Sequence, residues 1–148
     1  MKVDLPPYTS FTDFALRYVA VDPLSVYLGV EAKEVTEEYA IVELVPEKKH
    51  LNGLNIVHGA TLYALMDQAV AVASNSRGYL SVTCDGKINY LNAGKPGERL
   101  SAKAVAISIK KNLSLWDVKI TNENGELIAT GQSLAYHFDK LPELNERV

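Results

Sequence analysis

Three observations predict an α+β chain. Residues 60–73 (ATLYALMDQAVAVA) are apolar at nearly every helical position, the pattern of a buried helix. Two short β-branched runs precede it, and four runs with apolar residues at period two follow it. Consecutive strands joined by hairpins build an antiparallel sheet, not the parallel sheet of alternating units. At 148 residues, 47% hydrophobic and 22% charged, the chain has the size and balance of one globular domain, expected over 1–148.

The elements follow in order. Phe11, Phe14, Ala15, Tyr18 and Val19 recur at helical spacing behind Thr9 or Ser10, either of which suits an N-cap. A short helix is therefore expected over about 10–20, ended by Asp22-Pro23. Leu28–Val35 and Tyr39–Val45 are expected as strands around the polar turn 36–38, with Pro46 closing the second. Gly78 supplies the glycine stop after the buried helix. Strands are then expected over Val82–Leu91, Leu100–Ile109, Leu113–Thr121 and Leu127–Phe138, with 92–97 a loop and 122–125 (NENG) a hairpin turn. In the second of these, Ala102, Ala104, Ala106 and Ser108 form a small-residue face, suited to a sheet packed closely on a helix. The helix carries Leu62, Leu65, Met66, Val70 and Val72 around its circumference, more than one sheet is expected to cover. A second subunit is expected on the other flank.

Composition removes several functions. Fifteen Lys and Arg against 18 Asp and Glu give a net charge of -3, without the basic excess of a nucleic-acid binder. The single cysteine, Cys84, excludes an internal disulfide and a paired-cysteine zinc site, and as a lone strand cysteine it is read as a small buried hydrophobe. The least charged stretch, 51–76, is broken by Asn52, Asn55, His58, Asp67 and Asn75, so no membrane span is expected. Met1–Ser10 lacks a basic-then-apolar leader layout, which points to a reduced cytoplasm. Phosphate-cradling glycine loops and a G-x-S-x-G elbow do not occur, and His50, His58 and His137 have no metal-ligand spacing. Neither cofactor nor metal is expected.

The chemistry concentrates in residues 50–59 (HLNGLNIVHG), which run directly into the buried helix. At a helix start the first backbone N–H groups are free and the macrodipole favours negative charge, so an oxyanion or a polarised carbonyl fits there. The plainer alternative is a loop whose Asn and His side chains satisfy their own turn. Asp67 adds weight to the first. It is the one charged residue between His58 and Arg77, in mid-helix, where burying a carboxylate costs several kcal/mol. Ala60, Tyr63, Asp67, Ala71 and Ser74 share a stripe that leads back to Gly59. An ion pair with one of the fifteen basic side chains is the structural alternative. Asp67 lies roughly 12 Å along the axis from Gly59 at 1.5 Å per residue, far for both to meet one small group within a single helix. An antiparallel neighbour would bring the two together. Lys95, Arg99, Lys110 and Lys111 could reach a phosphorylated ligand, or simply solvate a strand edge.

The pattern Asn52-x5-His58-Gly59 with Leu65-x-Asp67-x-Ala69 resembles the hot-dog-fold acyl-CoA thioesterases of the phenylacetic-acid-degradation type, in the thioesterase superfamily. The likeness runs from about Pro23 to Phe138 and includes the Ser76-x-Gly78 helix end and the Lys95-Pro96-Gly97-Glu98-x-Leu100 turn. It implies an antiparallel sheet of about six strands wrapped around one long central helix, and a homodimer or a dimer of dimers. It further implies that the Gly59 N–H polarises the thioester carbonyl and that Asp67, from the other subunit, attacks it or activates a water. Asn52 would position that water or the substrate, His58 would fix the loop, and Thr83 is the hydroxyl expected to assist. Two positions depart from the family, Asn55 and Ala60, where glycines are usual. Asparagine tolerates left-handed φ. The Ala60 methyl either narrows the acyl pocket or weakens catalysis.

The expected activity is hydrolysis of an acyl-CoA to acid and CoA. The rivals are a non-catalytic acyl-CoA sensor, which tends to lack the acidic residue, and a dehydratase, which uses a different His–acid motif. Tyr63, Tyr79, Tyr90 and Trp116 hint at aromatic or medium-length acyl groups; Ala60 and Tyr63 are expected at the substrate, and Lys110 and Lys111 at the CoA phosphates.

Overall fold

The computed structural model describes residue 5 and residues 7–142. Half of Met1–Ser10, read above as lacking a leader layout, lies outside these residues. The Ser10 hydroxyl accepts the Asp13 amide at 3.0 Å and starts α1 (Phe11–Phe14), which continues as a π-helical turn over Ala15–Val19. Asp22 does more than end this segment. Its carboxylate accepts the amides of Leu24 and Ser25 at 2.9 and 3.1 Å, with Pro23 in the first turn, and so opens α2 (Pro23–Leu28). The sequence pattern hid this helix because Asp-Pro is both a stop and a start. The strand expected from Leu28 therefore begins later. Leu28 closes α2, and β1 is Glu31–Val35. β2 (Tyr39–Leu44) follows across the expected turn, where the Thr36 hydroxyl accepts the Glu38 and Tyr39 amides.

The apolar run forms α3, Gly59–Asn75. It is stopped at Gly78, whose φ of +84° suits glycine and where a Cβ would lie 2.7 Å from the Phe11 ring. β3 (Tyr79–Tyr90), β4 (Leu100–Ile109), β5 (Leu113–Asn122) and β6 (Leu127–Lys140) complete one six-stranded sheet in the order β1-β2-β4-β5-β6-β3. Every neighbouring pair is antiparallel. α3 touches all six strands. This is the α+β, hot-dog arrangement that the resemblance implies. Period-two burial explains it: Ser114, Trp116, Val118 and Ile120 of β5 and Ala102 and Ala104 of β4 point inward, the alanines letting the helix approach. Among the described residues no helix is long and apolar enough to cross a membrane.

Two expectations fail. Cys84, read as a small buried hydrophobe, is exposed on β3, at the edge of the sheet. The second concerns α3. Leu62, Leu65, Met66, Val70 and Val72 are all buried within the single chain. A sheet that curves around the helix covers more circumference than a flat one, and the π-helical turn packs against a further part. The apolar circumference therefore does not demand a second subunit. What stays open is the stripe of Ala60, Tyr63, Ala64, Asp67 and Ala71; Ser74, expected to continue it, is buried.

Candidate active site

The loop before α3 is held from below by His50. Its buried ring accepts the Glu47 amide at Nδ1 and donates from Nε2 to the Leu28 carbonyl, both at 2.8 Å. The His50 carbonyl in turn accepts the His58 amide at 2.8 Å and the Thr61 hydroxyl at 3.1 Å. For His50, then, the plain reading holds: it builds the loop. Asn52 shapes the next turn, its side-chain oxygen accepting the amides of Leu54 at 2.8 Å and Ile56 at 3.4 Å. Asn55 adopts φ +57°, the conformation in which asparagine stands in for glycine.

At the helix start His58 occupies the N-cap, and its Nδ1 accepts the Ala60 amide at 2.9 Å. Its carbonyl takes the amides of Thr61 and Leu62 at 2.9 and 3.2 Å. The Gly59 N–H has no acceptor among the described residues. The positive end of the α3 dipole is thereby focused on one unpaired donor. Tyr90, at the end of β3, crosses this residue: its hydroxyl donates to the Gly59 carbonyl at 3.1 Å, and a Cβ on Gly59 would lie 3.1 Å from its ring. Asn52, Gly59 and Tyr90 line one depression of about 290 Å³. Sequence reasoning treated Tyr90 as an acyl contact and missed its hold on Gly59. The missing signal was that β3 runs back alongside α3, which brings its last residue to the helix start.

Asp67 is half-buried on the open stripe and shares a cavity of about 540 Å³ with Thr83. Among the described residues no ion pair includes it; the pairs formed are Arg17–Asp13, Lys33–Glu31 and Arg99–Glu43. The salt-bridge alternative is thus not realised. Tyr63 lies between the two sites with its hydroxyl donating to the Gly86 carbonyl at 3.1 Å, and Ala60 is exposed at the head of the helix. Eight residues of helix, roughly 12 Å, keep Gly59 and Asp67 apart on the same face. The structure brings Asn52 to Gly59 and Thr83 to Asp67, and does not bring the two pairs together within one chain.

Lys110 and Lys111 are exposed in the β4–β5 turn. The register sets that turn at the opposite end of the molecule from Gly59. Leu113 pairs with Tyr136 and Tyr136 with Val82, and Tyr90 lies eight residues further along β3, roughly 26 Å at about 3.3 Å per residue. The aromatic hints also change. Trp116 is fully buried, its indole donating to the Ser114 hydroxyl at 2.7 Å, and Tyr79 stacks on His137 at 4.8 Å. The aromatic residues lining the Asp67 cavity are Phe14 and Tyr18.

The pattern of the Thioesterase superfamily matches residues 54–129, half of the chain. The acyl-coenzyme A thioesterase PaaI of Escherichia coli K12 is 31% identical over 108 residues, which are 73% of this chain and 77% of that one. The solved structure of E. coli PaaI from the phenylacetic acid degradation operon superposes with a TM-score of 0.79 at 27% identity, over 82% of this chain and 89% of that one. The smu.793 protein of Streptococcus mutans UA159, solved bound to acetyl CoA, superposes with a TM-score of 0.74 at 26% identity, over 76% and 91%. Since the matched stretch runs from the loop before α3 to the start of β6, and so takes in Gly59, Asp67 and Thr83, the chain belongs to the thioesterase superfamily and is a thioester hydrolase.

Proposed function

We propose that the protein hydrolyses acyl-CoA thioesters at two sites shared between the subunits of a homodimer. The observation that carries this reading is the unpaired Gly59 amide at the start of α3, on the same open face as the unpaired Asp67. Each is half of an acyl-transfer site. The amide stabilises the oxyanion that forms on the thioester carbonyl. The carboxylate is the base or nucleophile. As a base, Asp67 takes a proton from water as that water attacks the carbonyl carbon; the C–S bond then breaks, and the CoA thiolate leaves and regains a proton. As a nucleophile, Asp67 itself expels the thiolate, and water hydrolyses the resulting anhydride. Asn52 positions the water or substrate, His58 fixes the loop, and the Thr83 hydroxyl assists beside Asp67.

Two features support a dimer with antiparallel α3 helices. Gly59 and Asp67 are separated within the chain, and a twofold neighbour removes that separation. β3 is a twelve-residue edge strand with Val82 and Tyr90 more than half exposed, and such an edge readily pairs with another copy. The antiparallel arrangement also carries the far end of one subunit toward the Gly59 end of its partner, which keeps Lys110 and Lys111 as candidate contacts for the CoA phosphates. A dimer of dimers extends the same proposal, and a cytoplasmic location accords with CoA as substrate.

The test is a panel of acyl-CoAs assayed by free-thiol release. Release by the native chain and its loss in Asp67→Asn support the reading. No release from any acyl-CoA, or parental rates in the variant, would refute it.

A further inference from the structure

The Asp67 cavity has a wall that the proposed chemistry does not use. Phe14, Tyr18, Leu24 and Leu28 line it from one segment, residues 11–28, lying across α3 and the start of β3. This segment is firmly tied. Gln68 donates from Nε2 to the Val19 carbonyl at 2.8 Å, where the π-helical turn ends. The Tyr18 hydroxyl donates to the Pro7 carbonyl at 3.0 Å, and its ring lies 5.7 Å from that of Phe14, which packs edge-on against Tyr8 at 5.4 Å. Asp22 caps α2 and accepts the Ser25 hydroxyl at 2.7 Å. A buried amide in an apolar helix is unfavourable unless it is hydrogen-bonded. The bond to Val19 therefore accounts for Gln68 without any part in the reaction.

The cavity runs along α3 from Ala64 to Asn75, with Asp67 near one end. Its far end offers nothing to a polar group. The Asn75 amide donates to the Ala71 and Ser81 carbonyls and accepts the Ser81 N–H, while the Ser81 hydroxyl is bonded to His137. An extended chain advances about 1.2 Å per bond, so the roughly 12 Å from Asp67 to Asn75 holds about ten carbons.

We infer that segment 11–28 is the acyl-recognition strap of this cavity, admitting an apolar acyl group up to about ten carbons long. The bonded Asn75–Ser81 end closes the cavity along α3, the Phe14–Tyr18 aromatic wall closes its side so that a longer chain has no room to turn, and Gln68 is the positioning residue that holds the strap down. This inference rests on the thioesterase reading of Asp67 and adds the substrate class to it.

The test measures thiol release and calorimetric affinity across chain length, the second with non-hydrolysable thioether analogues of the acyl-CoAs. In the native protein both rise toward about ten carbons and fall beyond. Tyr18→Ala raises the ratio of sixteen-carbon to ten-carbon substrate by at least about tenfold, the scale on which an apolar pocket discriminates size. Tyr18→Phe keeps the native profile, and Tyr18→Trp, the bulkier wall, shifts it to shorter chains even if Tyr18→Ala does not fold. Gln68→Leu flattens the profile and speeds amide hydrogen exchange over Ala15–Ala20. Unchanged ratios in both measurements for the Ala and Trp variants would overturn the strap. A shifted affinity profile without thiol release would overturn the hydrolase reading and leave the strap standing. No binding of any analogue would overturn both.

Discussion

Asp67, within α3, and His58, its N-cap, have different work in the proposed function. Asp67 contributes a carboxylate that has no partner among the described residues, so its replacement by Asn keeps the shape and removes the base or nucleophile. Asp67→Asn should lower turnover by about 10²–10⁴-fold, the usual contribution of a positioned acid or base, with the melting curve unchanged. His58 contributes an acceptor for the Ala60 amide. His58→Ala should lose about 1 kcal/mol of stability, as removal of an N-cap does, or about 2–4 °C in Tm for a domain of this size. His58→Asn restores a cap and should regain most of it. Were His58→Ala as stable as the native chain, the histidine would not be acting as a cap.

The pairing of β3 with β6 buries a titratable residue. His137 of β6 faces Ser81 of β3, with Nδ1 2.6 Å from the hydroxyl, and its Nε2 is buried without a partner among the described residues. Burial, helped by the nearby positive charge of Arg77, holds the imidazole pKa below its ordinary 6.5. As pH falls below 6.5 the unfolded chain binds a proton that the native chain resists, so the contribution to stability is complete above 6.5 and declines below it. Thermal melts at pH 7.5, 6.5 and 5.5 should show a steeper fall for the native protein than for His137→Asn, which retains a polar partner for Ser81 but does not titrate. Parallel curves would mean that this end of the sheet does not contribute to acid sensitivity. At the other end of the segment over α3, the Asp22 carboxyl is subject to burial, which raises its pKa. The Ser25 hydroxyl, the Ser25 and Leu24 amides and Gln68 outweigh this and hold it below its usual range. That charged cap is how α2 starts where the pattern suggested only a stop.

At the scale of the whole molecule the proposed sharing of the site has its own test. Asn52→Ala and Asp67→Ala, each inactive alone, would be unfolded together and refolded as mixed dimers. Every heterodimer then has one site with both defects and one with neither, and activity should return to as much as half the native level per dimer. A verified heterodimer that stays dead would rule out sharing. Lys110 and Lys111 can reach the CoA only in the proposed dimer, because in one chain they lie at the end remote from Gly59. Replacing both with Ala should raise KM for acyl-CoA more than for a short thioester without the nucleotide. Equal effects would remove them from the CoA site.

The order of the strands around the buried helix, the antiparallel class, that helix itself (read over 60–73, observed over Gly59–Asn75), the unusual loop before it and the lone Asp67 were legible in the sequence, and α2 was not. Each depends on a local rule, whether period, turn chemistry or a charge out of place, and β4 began and ended where its pattern placed it. Only the tertiary structure decided how much of α3 a curved sheet covers, and so that its apolar circumference is satisfied within one chain. It alone brought Tyr90 over Gly59 and set Phe14 and Tyr18 in the Asp67 cavity, because contacts between residues 31 and 49 or more positions apart leave no periodic trace. Gln68 belongs with them: an amide in an apolar helix gains its meaning when the Val19 carbonyl, 49 residues away, arrives to accept its hydrogen. Local patterns specify elements through near-neighbour sterics and burial, whereas a site is assembled by packing between elements, which the order of residues along the chain does not display.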